Sequence, residues 1–255
     1  MAKDVRITVR EHYTGAAKGG GCCDSEASTC SCGGSAVEQS LSVGYSAAEL
    51  ATIPLDSVLG LGCGNPTAIG SLEPGQTVVD LGSGGGIDCF LASRMVGTGG
   101  RVIGVDMTPA MIDRARAAAD RGGFANVEFR LGEIEHLPLA DATADAVISN
   151  CVINLSPDKD QVFRESFRVL REGGRLMVSD IVSRGELPES IRNDAAMYAG
   201  CIAGALPKET YLEKIRTAGF REVTVVSEHV GEKAGVRESA EIAGALLSIG
   251  VLAVK

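Results

Sequence analysis

The chain has 255 residues, a formal net charge of −9, eight cysteines and no tryptophan. That length carries one sizeable core with or without an extension, and the mixed apolar and charged content excludes global disorder. The acidic balance, without any Lys/Arg run, argues against nucleic acid or an anionic membrane as partner.

No apolar run is long enough to cross a membrane and no secretory leader is visible, so a cytoplasmic location is expected. In that compartment so many cysteines point to metal or redox chemistry rather than a disulfide frame. They are unevenly spread. Cys22, Cys23, Cys30 and Cys32 crowd the start of the chain, while Cys63, Cys89, Cys151 and Cys201 are single.

Residues 1–45 include "TGAAKGGGCCDSEASTCSCGGS", without helical or strand period, and are read as a flexible cysteine-rich arm. "SAAELATIP" predicts a short helix with Ser46 as N-cap and Glu49 closing a capping box. From Gln76 apolar runs alternate with helical patterns. "QTVVDL", "RVIGVD", "NVEFRLG", "ADAVISN" and "GRLMVSDIV" are five strands. "GGIDCFLASRMVG", "TPAMIDRARAAADRGG" and "SPDKDQVFRESFRVLREGG" are helices, the last from Ser-Pro to Gly-Gly. Strand–helix alternation means βαβ units in a parallel, Rossmann-like α/β doubly wound sheet. Residues 46–182 form this core. Residues 183–255 supply a helical insert after the fifth strand and two final strands, "REVTVVSEHV" and "ALLSIGVLAVK".

Two stretches are glycine-rich. "VVDLGSGGG" follows a strand and opens a helix, the position at which backbone N–H groups receive a polar ligand. The dinucleotide pattern fails here, because Ile87 stands where the third glycine belongs. A carboxylate at Asp80 suits the cationic amino-acid end of S-adenosylmethionine better than a pyrophosphate. Gly82, Ser83 and Gly84 form the loop. Asp106, at the end of the second strand, is placed for a ribose diol. Glu133 and Ile134, after the third strand, are placed for adenine. Met107 and Asn150 complete the expected contacts. This ordered set resembles the class I S-adenosylmethionine-dependent methyltransferases; a nicotinamide or flavin protein explains Asp106 equally but not Asp80 or the missing glycine.

"LGLGCGNPTAIG" lacks a preceding strand and instead presents Cys63 between two glycines. Cys151 follows the fourth strand, which neighbours the first in a 3-2-1-4-5 sheet, at the carboxyl edge where ligands bind. Cys201 lies in the insert, which leaves from the same edge. Three thiols are thus within reach of the expected donor site. Cys89 is read as a small buried apolar residue, and His136 as a surface or loop-capping group.

The stretches "GCGNP", "DLGSGGGIDCFLAS", "GVDMT", "SNCVINLSPDK", "REGGRLMVSD" and "CIAGAL" resemble the arsenite S-adenosylmethionine methyltransferases. The resemblance implies that Cys63, Cys151 and Cys201 bind trivalent arsenic, from arsenite and then methylarsenite, for detoxification. It implies thioredoxin or glutathione as reductant of a disulfide that two site cysteines form; which pair closes stays open. Thiolates suit a soft thiophilic centre, and its lone pair needs no general base. No resident metal cofactor is expected. Cys22 and Cys23 are read as a capture pair for arsenite, against the alternative of a functionless arm. A monomer is expected. Two rival readings remain: a quinone- or sterol-type carbon methyltransferase, and a non-catalytic metalloid-binding protein.

Overall fold

A computed structural model describes residues 4–18, 35–230, 242 and 244–255. In chain order the helices and strands are α1 (Val5–Ala17), α2 (Ala36–Ser42), α3 (Ala47–Leu50), β1 (Thr77–Leu81), α4 (Ile87–Val96), β2 (Arg101–Asp106), α5 (Pro109–Gly122), β3 (Val127–Leu131), β4 (Ala144–Asn150), α6 (Lys159–Val169), β5 (Leu170–Ser183), α7 (Glu189–Arg192), α8 (Ala195–Ala199), α9 (Lys208–Thr217), β6 (Arg221–Val230) and β7 (Leu246–Val254). Short 3-10 turns link several of them.

The seven strands form one sheet in the order β3-β2-β1-β4-β5-β7-β6. β1 to β5 are parallel, and β7 runs antiparallel between β5 and β6. Both faces are covered, so successive side chains enter different cores. Val79, Val147 and Leu176 face one layer with Phe163 and Tyr211. Val78, Ile148 and Met177 face the other with Phe90 and Ile112. Cys89 lies fully buried in that second layer, as its apolar neighbours on α4 predict.

The strand order reverses between β1 and β4. This opens a crevice at the carboxyl edge. The predicted strands, the Ser46–Glu49 capping box and the helical insert are all present. Two expectations need correction. The helix read from Ser156 to Gly174 is shorter. Asp158 caps it by accepting from the Gln161 N–H at 3.0 Å, and the chain already enters β5 at Leu170, before the glycines.

The expected flexible arm is helical on both sides of residues 19–34. Asp4 caps α1, and Val9 on its inner face is 1% exposed. Ser35 and Glu38 form a capping box on α2. Burial of one α1 face against the insert supplies order that the polar α1 sequence does not advertise. Arg6 of α1 pairs with Glu133 at 2.8 Å, and the Tyr13 hydroxyl donates to the carbonyl of Ala199 at 3.4 Å. Cys22, Cys23, Cys30 and Cys32 lie outside the described residues. Among the described residues no helix is long and apolar enough to cross a membrane.

Candidate active site

A cavity opens at the β1/β4 switch point, at the carboxyl edge where open α/β sheets bind ligands. Its walls come from the loop after β1, the end of β2, the end of β4 and the inner face of α1.

The glycine loop is shaped by close approach. Gly82 has φ +64°, and a Cβ there would come within 2.3 Å of Val152. Gly84 has φ +50° with open space where a side chain would stand. The loop therefore shows bare backbone to the cavity immediately before α4. Ser83 lines the same wall, and its buried hydroxyl has no hydrogen-bond partner. An orphaned donor of this kind beside an open backbone fits a polar ligand. Asp106 ties the loop to β2: it accepts from the Gly84 N–H at 3.0 Å and the Thr108 N–H at 2.8 Å.

Gly82, Ser83, Gly84, Asp106, Met107 and Asn150 all line the cavity, and so does Cys151. Three other expected cofactor contacts stand elsewhere. Asp80 points behind the loop, where it is buried and accepts from the Cys89 thiol at 3.2 Å. Burial, reinforced by the nearby Asp88, raises its carboxyl well above the ordinary range. Asp88, eight residues further on at the start of α4 and unnoticed in the sequence, lines the cavity instead. Glu133 is turned to Arg6 on α1, and Ile134 is packed into the core.

The three singled-out cysteines are brought together. Cys63, Cys151 and Cys201 are each about 95% buried and share one apolar cluster with Val9, Leu155 and Ile181. The Cys201 thiol donates to the Cys151 carbonyl at 2.8 Å. The Cys63 thiol lies 3.7 Å from the Ser179 carbonyl and 3.9 Å from Asn150 Oδ1. The Cys151 thiol interacts with both of the others, and this contact, with burial, raises its pKa well above a free thiol's. Burial also pushes the Cys63 thiol up. All three, with Cys89, are free thiols.

Behind them stands Asp180, whose carboxylate lies with the Cys63 and Cys151 sulfurs in a group spanning no more than 4.8 Å. It accepts from Asn154 Nδ2 at 2.9 Å, the Ile181 N–H at 2.9 Å and the Tyr211 hydroxyl at 3.0 Å. Burial carries it up to about 7. An acid inside the apolar strand "LMVSDIV" was the available sequence signal for this residue. On the cavity side, Tyr13 of α1 interacts with the Cys201 thiol and lines the wall. His136 is exposed and away from the cavity.

A switch-point crevice with a bare glycine loop, a held Asp106 and no phosphate-binding third glycine defines a class I methyltransferase domain. A methyltransferase-domain sequence profile matches residues 72–223. The arsenite methyltransferase of Halobacterium salinarum is 46% identical over 238 residues, which cover 88% of this chain and 59% of that one. The human arsenite methyltransferase is 45% identical over 138 residues, 51% of this chain and 37% of that one. The crystal structure of an arsenic(III) S-adenosylmethionine methyltransferase from Chlamydomonas reinhardtii superposes with a TM-score of 0.69 at 34% identity, covering 87% of this chain and 74% of that one. The chain belongs to the arsenite methyltransferase family. It spans between about a third and three-fifths of the length of these curated relatives.

Proposed function

We propose that this chain methylates trivalent arsenic with S-adenosylmethionine as donor. The observation that carries this reading is the convergence of Cys63, Cys151 and Cys201 next to the cavity wall that holds Ser83 and Asp106. A carbon methyltransferase of the quinone type has no need of three clustered thiols. A metalloid-binding protein has no need of the open glycine loop and its orphaned Ser83 hydroxyl.

Three buried thiols suit arsenite, which enters as neutral As(OH)3. Each thiol proton leaves with one hydroxide as water, so three As–S bonds form without a net proton change. The raised thiol pKa values of Cys63 and Cys151 therefore do not obstruct capture. When bound, S-adenosylmethionine supplies an electrophilic methyl group on a sulfonium. Ser83, the Gly84 backbone, Asp106 and Asp88 are the groups that would hold it. Thiolate-bound As(III) retains a lone pair, which is the nucleophile, so the site needs no general base. Val9 and Tyr13 on α1 line the cavity beside it.

Methylation raises arsenic formally from +3 to +5. Two electrons restore the trivalent state when two of the site thiolates become a disulfide. An external dithiol, such as thioredoxin, or glutathione reopens that disulfide by exchange. In a cell this chemistry serves arsenic detoxification.

The test is product speciation. Purified protein is incubated with arsenite, S-adenosylmethionine and a reducing system, and arsenic species are separated over time. Cys63→Ser, Cys151→Ser and Cys201→Ser run in parallel. Methylated arsenic from the wild type, lost or stalled in the variants, supports the reading. Donor binding without methylated arsenic overturns it in favour of another acceptor.

A further inference from the structure

Asn150 joins the two halves of the site. Its Nδ2 atom lies 2.8 Å from the Tyr45 hydroxyl, 2.8 Å from the Gly64 carbonyl and 3.1 Å from Asp88 Oδ2. An amide nitrogen carries only two hydrogens. Three acceptors therefore compete for two donors. On its other side, Asn150 Oδ1 accepts from the backbone N–H of Cys63 at 3.1 Å. One side chain thus grips the Gly62-Cys63-Gly64 turn from both ends. The turn is pressed against it: a Cβ on Gly62 would stand 2.6 Å from Nδ2.

The third competitor belongs to the donor cavity. Asp88 and Asp106 are the two carboxylates among the lining residues. Asp106 is held by two backbone N–H groups. Asp88 accepts from Tyr45 at Oδ1 (2.8 Å) and at Oδ2 has only its share of the Asn150 amide. It is the carboxylate placed for a cationic group. A cation on Oδ2 withdraws that oxygen from the competition. Both amide hydrogens then go to Tyr45 and to Gly64, and the turn carrying Cys63 is fixed.

We propose that Asn150 couples the two sites, so that occupation of Asp88 by the donor's ammonium group and capture of arsenic at Cys63 strengthen each other. The inference rests on the arsenic-methylating function proposed above. Linkage makes the effect reciprocal: the factor by which donor tightens arsenic is the factor by which arsenic tightens donor. Securing one buried hydrogen bond corresponds to about tenfold in affinity. The coupling favours arsenic uptake when a donor is in place. Asn150 is a positioning residue in this scheme. Asp88 is the contact.

The experiment measures arsenite affinity of the full chain by equilibrium dialysis under a thiol-free reductant, with and without saturating S-adenosylhomocysteine. That compound keeps the ammonium group and transfers nothing. In the wild type, arsenite binds about tenfold tighter with the nucleoside present. Tyr45→Phe removes one acceptor and leaves two for two hydrogens. It binds arsenite tightly from the start and gains nothing from the nucleoside. Asn150→Asp removes both hydrogens, binds weakly and does not respond. Loosened packing alone would weaken both variants, so the opposite signs are the signature. Arsenite and nucleoside binding independently in the wild type, or Tyr45→Phe responding like the wild type, overturns the coupling and leaves the functional reading standing. Nucleoside binding without any arsenite binding overturns the functional reading, and the coupling with it.

Discussion

The thiol of Cys201 donates to the backbone carbonyl of Cys151 at 2.8 Å, and both residues hold left-handed backbone, φ 63° and 57°. Cys201 follows the C-cap Gly200 of α8. Its N–H reaches the Tyr198 carbonyl at 3.0 Å, and that of Ile202 reaches Met197 at 2.9 Å. This is a Schellman arrangement with cysteine at the position that usually holds glycine. A side chain there costs about 1–2 kcal/mol, and strain of this kind is kept where the side chain has work to do. Cys201→Gly relieves the backbone while removing the thiol. The expected outcome is a stability within about 1 kcal/mol of wild type, since glycine's own entropy cost offsets part of the relief. Arsenite affinity falls at least tenfold. Urea denaturation beside an arsenite titration checks both. A destabilisation of several kcal/mol would mean that the cysteine serves packing instead.

The stretch "GCGNP" has a steric explanation. Cys63 is held at its N–H by Asn150 and at its carbonyl by the Ser248 hydroxyl, which donates at 3.0 Å. A Cβ on Gly64 would fall 1.9 Å from Ser179 Oγ. Gly64→Ala is therefore expected to push the turn off β5 and lower methylation rate and arsenite affinity together, by about tenfold or more. Ser179→Gly in the same chain removes the clash and restores much of the loss. The double-variant comparison isolates the contact. If the second change restores nothing, the turn is not set by that contact.

The order of the five parallel strands was legible because strand patterns alternate with helical ones, and that alternation means βαβ crossovers in a doubly wound sheet. The thiol cluster was legible for a topological reason. Cys151 follows β4, and the reversal of strand order puts that end beside β1. Three features were not legible. The face of α1 carrying Val9 and Tyr13 is apolar only in part, and its order comes from tertiary contact with the insert. Asp80 and Asp88 are eight residues apart on a strand and a helix. Which of them faces the cavity depends on how far the loop turns between them. Asn150 is read from the sequence only as a donor contact; its meeting with Tyr45, Gly64 and Asp88 is a tertiary feature that no local pattern shows.

Glu133 separates a sequence-motif expectation from the observed geometry. Its carboxylate meets Arg6 at 2.8 Å with both side chains at least a third exposed. Such pairs contribute about 0–1 kcal/mol. Glu133→Ala is expected to leave nucleoside affinity within about twofold of wild type and stability almost unchanged. Asp106→Ala, by contrast, frees the Gly84 and Thr108 N–H groups and removes a cavity acceptor, so nucleoside affinity drops by at least tenfold. Calorimetric titration with S-adenosylhomocysteine distinguishes them. A large loss in Glu133→Ala would return that residue to the donor site.

Acidity acts on Asp88 with opposite signs for folding and for binding. Burial pushes its carboxyl from 3.8 up to about 6, and the charge of Glu49 on α3 adds to this. The hydrogen bonds from Tyr45, ahead of α3, and Asn150, on β4, work the other way. Asp80 on β1 faces it as a second buried acid. Between about pH 4 and 6 the folded chain holds a proton that the unfolded chain has released. Stability therefore falls as pH rises through that window. A cationic ligand needs the charged carboxylate, so nucleoside affinity rises with pH over the same range. Below about pH 6 it changes by roughly tenfold per unit. Asp88→Asn removes the proton. Its nucleoside affinity is expected to be weaker at pH 7 and flatter with pH, and its stability to lose part of the wild-type decline. Titrations of nucleoside binding and urea denaturation from pH 5 to 8 check the two signs. An unchanged slope for nucleoside binding in Asp88→Asn would move the ammonium contact to another residue.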